Sequence, residues 1–167
     1  MKIVLLPVPP YRDIGGVATH VTMLQKGLTE LGHAVCLISG TPPAWFRIPF
    51  IRLPESVFAK LNIYCARRYR KWMEDLYLLV AAIWRTRGRM DVLNVQNVQH
   101  YAIAGILKRL TGCRITLTVH GYLTYEAETR HWCSVGDKSH QWLWAMEVKG
   151  YDRYDAVICV AERTIKH

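Results

Sequence analysis

Two short segments that follow apolar runs contain residues able to contact a polar ligand. Gly15 and Gly16 come after MKIVLLPVPP, and His120 and Gly121 come after CRITLTV. Histidine can hydrogen-bond a hydroxyl group or transfer a proton near neutral pH. Glycine lets the backbone approach a ligand closely, and the N–H groups at the start of a helix attract phosphate. These residue types favour a ligand that carries hydroxyl or phosphate groups.

Each of these residues also has a structural explanation. A glycine pair often serves only to turn the chain between a strand and a helix. His120 would in that case cap the end of its strand and bond backbone groups. His20 lies four residues before Leu24 on the buried side of a predicted helix, which favours an interior histidine unless the start of that helix lines a cleft. We expect the remaining candidates at the surface or in loops: His100, His131 and His140.

Spacing disfavours three common kinds of site. The glycines fit neither the GxGxxG fingerprint of dinucleotide-binding folds nor the GxxxxGK[ST] pattern of phosphate-binding loops. An enzyme with an ordinary NAD or ATP site is therefore the less favoured alternative. The five cysteines are odd in number and include no CxxC pair, so we expect reduced thiols, a cytoplasmic compartment and no metal site.

Apolar strands and patterned helices alternate along the chain. Strands are predicted at KIVLLP (2–7), HAVCLIS (33–39), MDVLNVQ (90–96), CRITLTVHG (113–121) and YDAVICVAE (154–162), with FRIPFIRL as a short edge strand. Helices are predicted after the glycine pair, from Tyr101 to Leu110 with a stop at Gly112, around HQWLWAMEV, and where apolar spacing marks Tyr69, Trp72, Met73, Leu76, Val80 and Ile83. This alternation is typical of an α/β fold, a Rossmann-like open, mostly parallel sheet with helices on both faces. We expect residues 1–167 to form one such domain.

In open parallel sheets, ligands bind beyond the carboxyl ends of the strands. Polar segments follow four of the predicted strands: Arg12-Asp13 with the glycine pair, Gln96-Asn97, His120-Gly121-Tyr122, and Ala161-Glu162. We expect these segments to gather at one edge of the sheet.

The net charge of +9 is concentrated in one stretch, because eight basic residues and only two acidic ones lie from Lys60 to Arg89. The cluster predicted to contact anionic lipid headgroups, at the inner face of a membrane, is Arg67, Arg68, Arg70 and Lys71. The alternative is that Arg70–Glu74 and Lys71–Asp75 are ordinary pairs along one helix face. No nucleic-acid motif accompanies the charge, so nucleic acid is not an expected partner. The longest apolar run after the N-terminal one, LYLLVAAIW (76–84), is too short to span a bilayer.

Three segments in this order resemble glycosyltransferases of the large retaining family 4, which have the GT-B fold. GGVATHVTMLQKGLTELGHAV resembles the first helix of those enzymes and the entry to their second strand. DVLNVQNVQHYAIAGILKRLTGCRITLTVHGY resembles their next strand and helix and a T-x-H-G segment. YDAVICVAE resembles a strand near the end of their first domain. The resemblance covers nearly the whole chain.

The resemblance implies two Rossmann-like domains with a cleft between them, of which this chain is the N-terminal, acceptor-binding one. It implies a transferase of the hexosyltransferase type that moves a sugar from a nucleotide-sugar to a sugar or lipid-linked acceptor, with no metal or other cofactor. Gly15 and Gly16 would approach the donor phosphates, and His120 would lie near the reacting sugar as the catalytic residue. The acceptor-binding residues would be Arg12, Asp13, His20, Asn97, Gly121 and Tyr122.

The chain departs from the family pattern in three respects. The family often has a histidine after the third strand, where this chain has Gln96 and Asn97, and a serine where Ala161 stands. The sequence also ends where the donor-binding C-terminal domain should begin, so we expect the isolated chain to be inactive without it. The alternative from a different class is a non-catalytic module that binds a membrane or a partner through its basic helix.

Overall fold

Five parallel strands form the centre of the protein, which a computed structural model describes over residues 1–7, 16–38 and 41–160. The strands are β1 (Lys2–Leu6), β2 (Ala34–Leu37), β3 (Val92–Val95), β4 (Arg114–Val119) and β5 (Ala156–Cys159). Their order across the sheet is β2-β1-β3-β4-β5, and every adjacent pair is parallel. The predicted fold class is confirmed.

Helices connect the strands, as parallel pairing requires. They are α1 (Gly16–Glu30), α2 (Ala44–Arg47), α3 (Leu53–Leu61), α4 (Ile63–Thr86), α5 (Tyr101–Thr111), α6 (Leu123–Thr129) and α7 (Lys138–Tyr151). A π-helical turn at Ile48–Arg52 joins α2 to α3, and a 3-10 turn at Val98–His100 precedes α5. In the described part of the chain, no helix combines the length and apolar character needed to cross a bilayer.

The two faces of the sheet are covered by different helices. On one face, Ile3 and Leu5 of β1 pack against Val21 of α1. On the other face, the alternate strand residues form a larger core with α4, α5 and α7, which includes Leu93, Leu117, Leu78, Leu107 and Met146. Continuous apolar strands buried on both sides are what a parallel sheet between two helical layers requires.

Local signals account for several helix ends. Asn62 caps α4 by accepting hydrogen bonds from the backbone N–H groups of Tyr64 and Cys65. Gly112 ends α5 with φ of 70°, a left-handed conformation that glycine adopts without steric cost. The predicted stop of that helix is confirmed.

The prediction of an edge strand at FRIPFIRL is wrong. These residues, 46–53, belong to α2, the π-helical turn and the start of α3. Pro49 and Pro54 lie in the first turns of the two latter segments, and the residues just before those segments, Arg47 and Arg52, are themselves helical. Alternating apolar and basic residues therefore mimic a strand although the backbone is helical.

Helix α4 is where predicted, but its predicted apolar side is not the buried one. Met73 is buried, whereas Trp72 and Val80 are 62% and 58% exposed. The residues that face the core are Leu78 and Ala82, both fully buried. Residues two positions apart on a helix point about 200° apart, so α4 has apolar residues on opposite sides.

Candidate functional site

The strand order reverses at β1 and β3, whose carboxyl ends lie at the same edge of the sheet. From β1 the chain moves outward to β2 and then returns to the other side of β1 to build β3, β4 and β5. The connections on the two sides diverge at that point, and open α/β sheets bind ligands there. Gln96 follows β3 and His120 follows β4 at this edge, and α1 begins at Gly16 after β1.

Two histidines from different elements meet at this edge. The ring of His20, in the second turn of α1, lies 5.0 Å from the ring of His120, and the two planes are at 80°. Both side chains are partly exposed. His20 therefore lies at the rim rather than in the interior, which is the arrangement expected if the start of α1 lines a cleft.

A series of hydrogen bonds between side-chain amides orients the ring of His120. The Nε2 atom of His120 is 2.8 Å from the Oε1 atom of Gln96, which is 1% exposed. The Nε2 group of Gln96 donates in turn to the Oδ1 atom of Asn94. The Nδ2 group of Asn94 donates to the hydroxyl oxygens of Thr116 at 2.9 Å and Thr118 at 3.0 Å. The histidine thus stands at the end of a satisfied polar network that crosses from β3 to β4.

The direction of these hydrogen bonds sets the tautomer of His120. Because Gln96 presents its carbonyl oxygen, the Nε2 atom of His120 must carry the proton and donate it. The Nδ1 atom is then the acceptor in the neutral ring. Burial, and secondarily the nearby charge of His20, lower the pKa of His120 below its ordinary value. At neutral pH the ring is uncharged and can accept a proton from a ligand hydroxyl group.

The other predicted rim residues are used in different ways. The Oδ1 atom of Asn97 accepts a hydrogen bond from the backbone of Gln99 at 2.9 Å and so caps the 3-10 turn. Tyr122 is partly buried at the N-cap position of α6. Gly16 and Gly121 are exposed, and open space surrounds the position that a Cβ atom would occupy. Both glycines are sterically accessible to a ligand.

A buried carboxylate that the sequence analysis missed fixes the segment after His120. Glu147 of α7 is 3% exposed, and its two carboxylate oxygens accept from the backbone N–H groups of Leu123 at 2.6 Å and Thr124 at 3.1 Å. The hydroxyl group of Thr124 also donates to Glu147. The carboxylate thereby occupies the N-terminus of α6, where negative charge is stabilised. An acidic residue inside the apolar run WLWAMEV was the available signal.

A comparison with protein-family models matches Glycosyltransferase Family 4 over residues 14–167. The chain belongs to this family. A search of curated proteins found no match. The family relationship establishes a glycosyltransferase-type role and agrees with the Rossmann-like fold of the sheet. It confirms the family identified from the order of the three sequence segments.

Several predicted site residues of this glycosyltransferase chain lie outside the described residues. They are Arg12, Asp13, Gly15, Ala161 and Glu162. The predicted glycine loop is thus represented in the structure by Gly16 alone. The structure brings together His20, Gln96 and His120 from three different elements.

The basic cluster of the glycosyltransferase chain does not form one free cationic surface. Lys71 has a side chain only 15% exposed and is ion-paired with Asp75. Arg70 lies 2.9 Å from Glu74 and also pairs with Glu55 at 3.7 Å. Two other members have uncharged partners: Arg67 donates to Ser139 and Arg68 donates to Tyr64. The alternative of ordinary pairs along the helix describes Arg70 and Lys71.

The expectation that His100 lies at the surface is wrong. Its side chain is fully buried, and its Nδ1 atom is 3.0 Å from the Oδ1 atom of Asp75 in α4. Burial lowers the pKa of His100, although the hydrogen bond to Asp75 opposes this shift. His131 is exposed as expected, and His140 is partly exposed and 2.8 Å from Glu128. His100 therefore joins the 3-10 turn to α4 as a packed interior residue.

Metal-ligating residue types are dispersed in the part of the chain that the structure describes. No group of three histidine, cysteine, aspartate or glutamate residues there could hold a metal ion. The five cysteines are free thiols, and two of them, Cys113 and Cys133, are buried.

Proposed function

We propose that this chain is the acceptor-binding half of a retaining glycosyltransferase of the hexosyltransferase type. In this proposal the donor is a nucleotide-sugar held by a second, C-terminal domain, and transfer takes place in the cleft between the domains. The observation that carries the proposal is the pair of His20 and His120 at the carboxyl edge of the sheet, next to open backbone at Gly121. Family membership supplies the reaction class.

His120 is the proposed catalytic residue. Its neutral ring, with the proton fixed on Nε2 by Gln96, offers Nδ1 to a sugar hydroxyl group. A hydrogen bond from that hydroxyl orients the reacting sugar, and proximity in a held geometry lowers the barrier. The network through Asn94 prevents rotation of Gln96, so the imidazole is positioned before the ligand arrives.

The start of α1 is the proposed contact for the donor phosphates. Gly16 is the first residue of this helix of 15 residues, and the first turn contains no acidic side chain that would repel an anion. Backbone N–H groups at a helix start stabilise negative charge. With Gly15, they offset the charge of the departing diphosphate, and the proposal requires no metal ion or other cofactor.

The proposed acceptor is a sugar or a lipid-linked molecule, and an anionic one is favoured by the net charge of +9. Its proposed contacts are Asn97, Gly121 and Tyr122, together with His20. Arg12 and Asp13 complete this set in the proposal.

The test is turnover by the chain joined to its natural downstream sequence. Release of nucleoside diphosphate is measured with a panel of nucleotide-sugars, first for the unchanged protein and then for His120→Asn. We expect the substitution to lower kcat by about 100-fold or more, because misplacing a reacting group by about 1 Å can cost that much. The matched control is His131→Asn, at an exposed position with φ of 56° that asparagine tolerates. Equal turnover of the two variants would remove His120 from the mechanism.

A further inference from the structure

Exposed apolar side chains are concentrated in the segment from α2 to α4. Trp45 and Trp84 are 73% and 78% exposed, and α3 exposes Leu53, Val57 and Leu61 at intervals of four residues. Large apolar side chains that share one region of a surface indicate an interaction site. The exposed apolar residues of this segment also include Trp72, Leu76 and Val80 from the predicted apolar side of α4.

An apolar groove lies between α2 and α4. It has a volume of about 450 Å³ and is lined by Trp45, Phe46, Leu76, Val80 and Trp84, with Arg85 at its margin. The two walls of the groove are held by an aromatic contact, because the ring centroids of Phe46 and Tyr77 lie 5.6 Å apart. We call these six residues the α2–α4 groove.

The segment around the groove carries most of the positive charge of the protein. Residues 44–89 contain ten basic and three acidic residues, which amounts to seven of the nine net positive charges. All three acidic residues, Glu55, Glu74 and Asp75, are paired with Arg70 or Lys71. The other eight cations form no ion pair with any residue that the structure describes. The free charge is therefore outside the Arg70–Lys71 turn, at residues such as Arg52 and Arg85.

We infer that the α2–α4 groove and the cations around it form a surface that docks on anionic lipid bilayers. Tryptophan and arginine side chains are both favourable at the boundary between lipid headgroups and acyl chains. A second copy of the chain is a poorer occupant, because pairing this surface with itself would bring together two segments of the same strong positive charge. The inference concerns how the protein is held near a membrane and is independent of the proposed catalytic role of His120.

The inference changes the location of the membrane-contacting residues. The sequence predicted the cluster Arg67, Arg68, Arg70 and Lys71, but two of these residues are neutralised by neighbouring carboxylates. Contact through the groove instead buries exposed indole rings, and the surrounding cations approach the headgroups. The two locations can be separated by substitution, because none of the six groove residues belongs to that cluster.

The test is co-sedimentation of the full-length protein with phosphatidylcholine vesicles that either contain or lack phosphatidylglycerol. We expect binding to the anionic vesicles, and we expect the double variant W45S/W84S to reduce that affinity at least tenfold, on the scale of two lost interfacial side chains. Trp144→Ser is the matched control, because Trp144 is also exposed, at 59%, but lies on α7. It should change affinity less than twofold.

A second pair of variants tests the charge. R52Q/R85Q should weaken binding about tenfold or more, since each cation near an anionic surface contributes on the order of a further fivefold. R70Q in the paired turn should have little effect. Melting curves establish that each variant is folded.

Three results would overturn the inference. The first is equal binding of W45S/W84S and the unchanged protein, and the second is equal binding to vesicles with and without phosphatidylglycerol. The third is a dimer in solution that W45S/W84S dissociates, since the groove would then be occupied by a second copy.

Discussion

The buried carboxylate of Glu147 provides the sharpest test of how the site is held. In the variant Glu147→Gln, one oxygen of the carboxylate is replaced by an NH2 group that cannot accept a hydrogen bond. At least one of the three donors, the N–H groups of Leu123 and Thr124 and the hydroxyl of Thr124, then loses its partner in a buried position. The negative charge of Glu147, which interacts favourably with the N-terminal end of the α6 dipole, is lost as well.

The size of the effect follows from these contacts. A hydrogen bond to a charged group contributes about 1.5–3 kcal/mol, and a buried donor without a partner costs about 1–3 kcal/mol. We therefore expect the free energy of unfolding to fall by about 2–4 kcal/mol for Glu147→Gln. For a chain of this length, each kcal/mol corresponds to a fall in Tm of about 2–4 °C.

The assay is urea denaturation followed by circular dichroism, with Glu126→Gln as the matched control. Glu126 lies on α6 itself, its side chain is 46% exposed, and it pairs with Arg130. Exposed pairs of this kind contribute little, so the control should change the free energy of unfolding by less than about 1 kcal/mol. Amide hydrogen exchange should also accelerate at Leu123 and Thr124 in the Glu147 variant alone. If the two variants were equally stable, the carboxylate would not be holding α6.

Three further measurements test other parts of the structure. Gly150→Ala should lower the free energy of unfolding by about 1–3 kcal/mol, because the new methyl group would overlap Val98. Gly105→Ala, in an open helical position, should instead raise it by about 0.5–1 kcal/mol. Equal effects of the two substitutions in urea denaturation would contradict the packing of α7. The free energy of unfolding should decrease as the pH falls below 6.5, because burial lowers the pKa of His100 and of His120 and the unfolded chain therefore takes up protons first. His100→Gln should make the free energy of unfolding less dependent on pH. An unchanged slope would show that His100 does not contribute. Gln96→Glu should raise the pKa of His120 in an NMR titration, because a carboxylate favours the imidazolium, and a pKa that does not rise would show that the two side chains are not in contact.

Local sequence patterns are sufficient to predict most of the fold. Continuous apolar runs identified all five strands, and Gly112 marked the end of α5 correctly. Patterning succeeds best for the central strands, such as β1 and β3, because a strand buried on both faces cannot contain polar residues without partners. The buried polar residues of the strands, Asn94 in β3 and Thr118 in β4, satisfy each other.

Long-range contacts determined what the sequence could not show. His100 is buried because Asp75, 25 residues earlier in the chain, reaches it from α4. Helix α4 has apolar residues on opposite sides, and nothing in the spacing says which side meets the sheet. The pairing of His20 with His120 likewise depends on how α1 packs over the strands. Sequence reasoning identified these residues as candidates, and only the tertiary structure showed which of them meet.

The amide network beneath His120 has a consequence for how the sheet assembles. Asn94 is opposite Thr116 in the alignment of β3 with β4, and both point to the same side of the sheet as Leu5. Sliding β3 by a single position would turn Asn94 and Gln96 into the layer occupied by Leu78 and Leu107, where neither carboxamide would find a donor or an acceptor. Each buried carboxamide without a hydrogen-bond partner would cost about 1–3 kcal/mol, so misaligned sheets are strongly disfavoured during folding. The same two side chains that orient an imidazole thus make one strand alignment much more favourable than its neighbours.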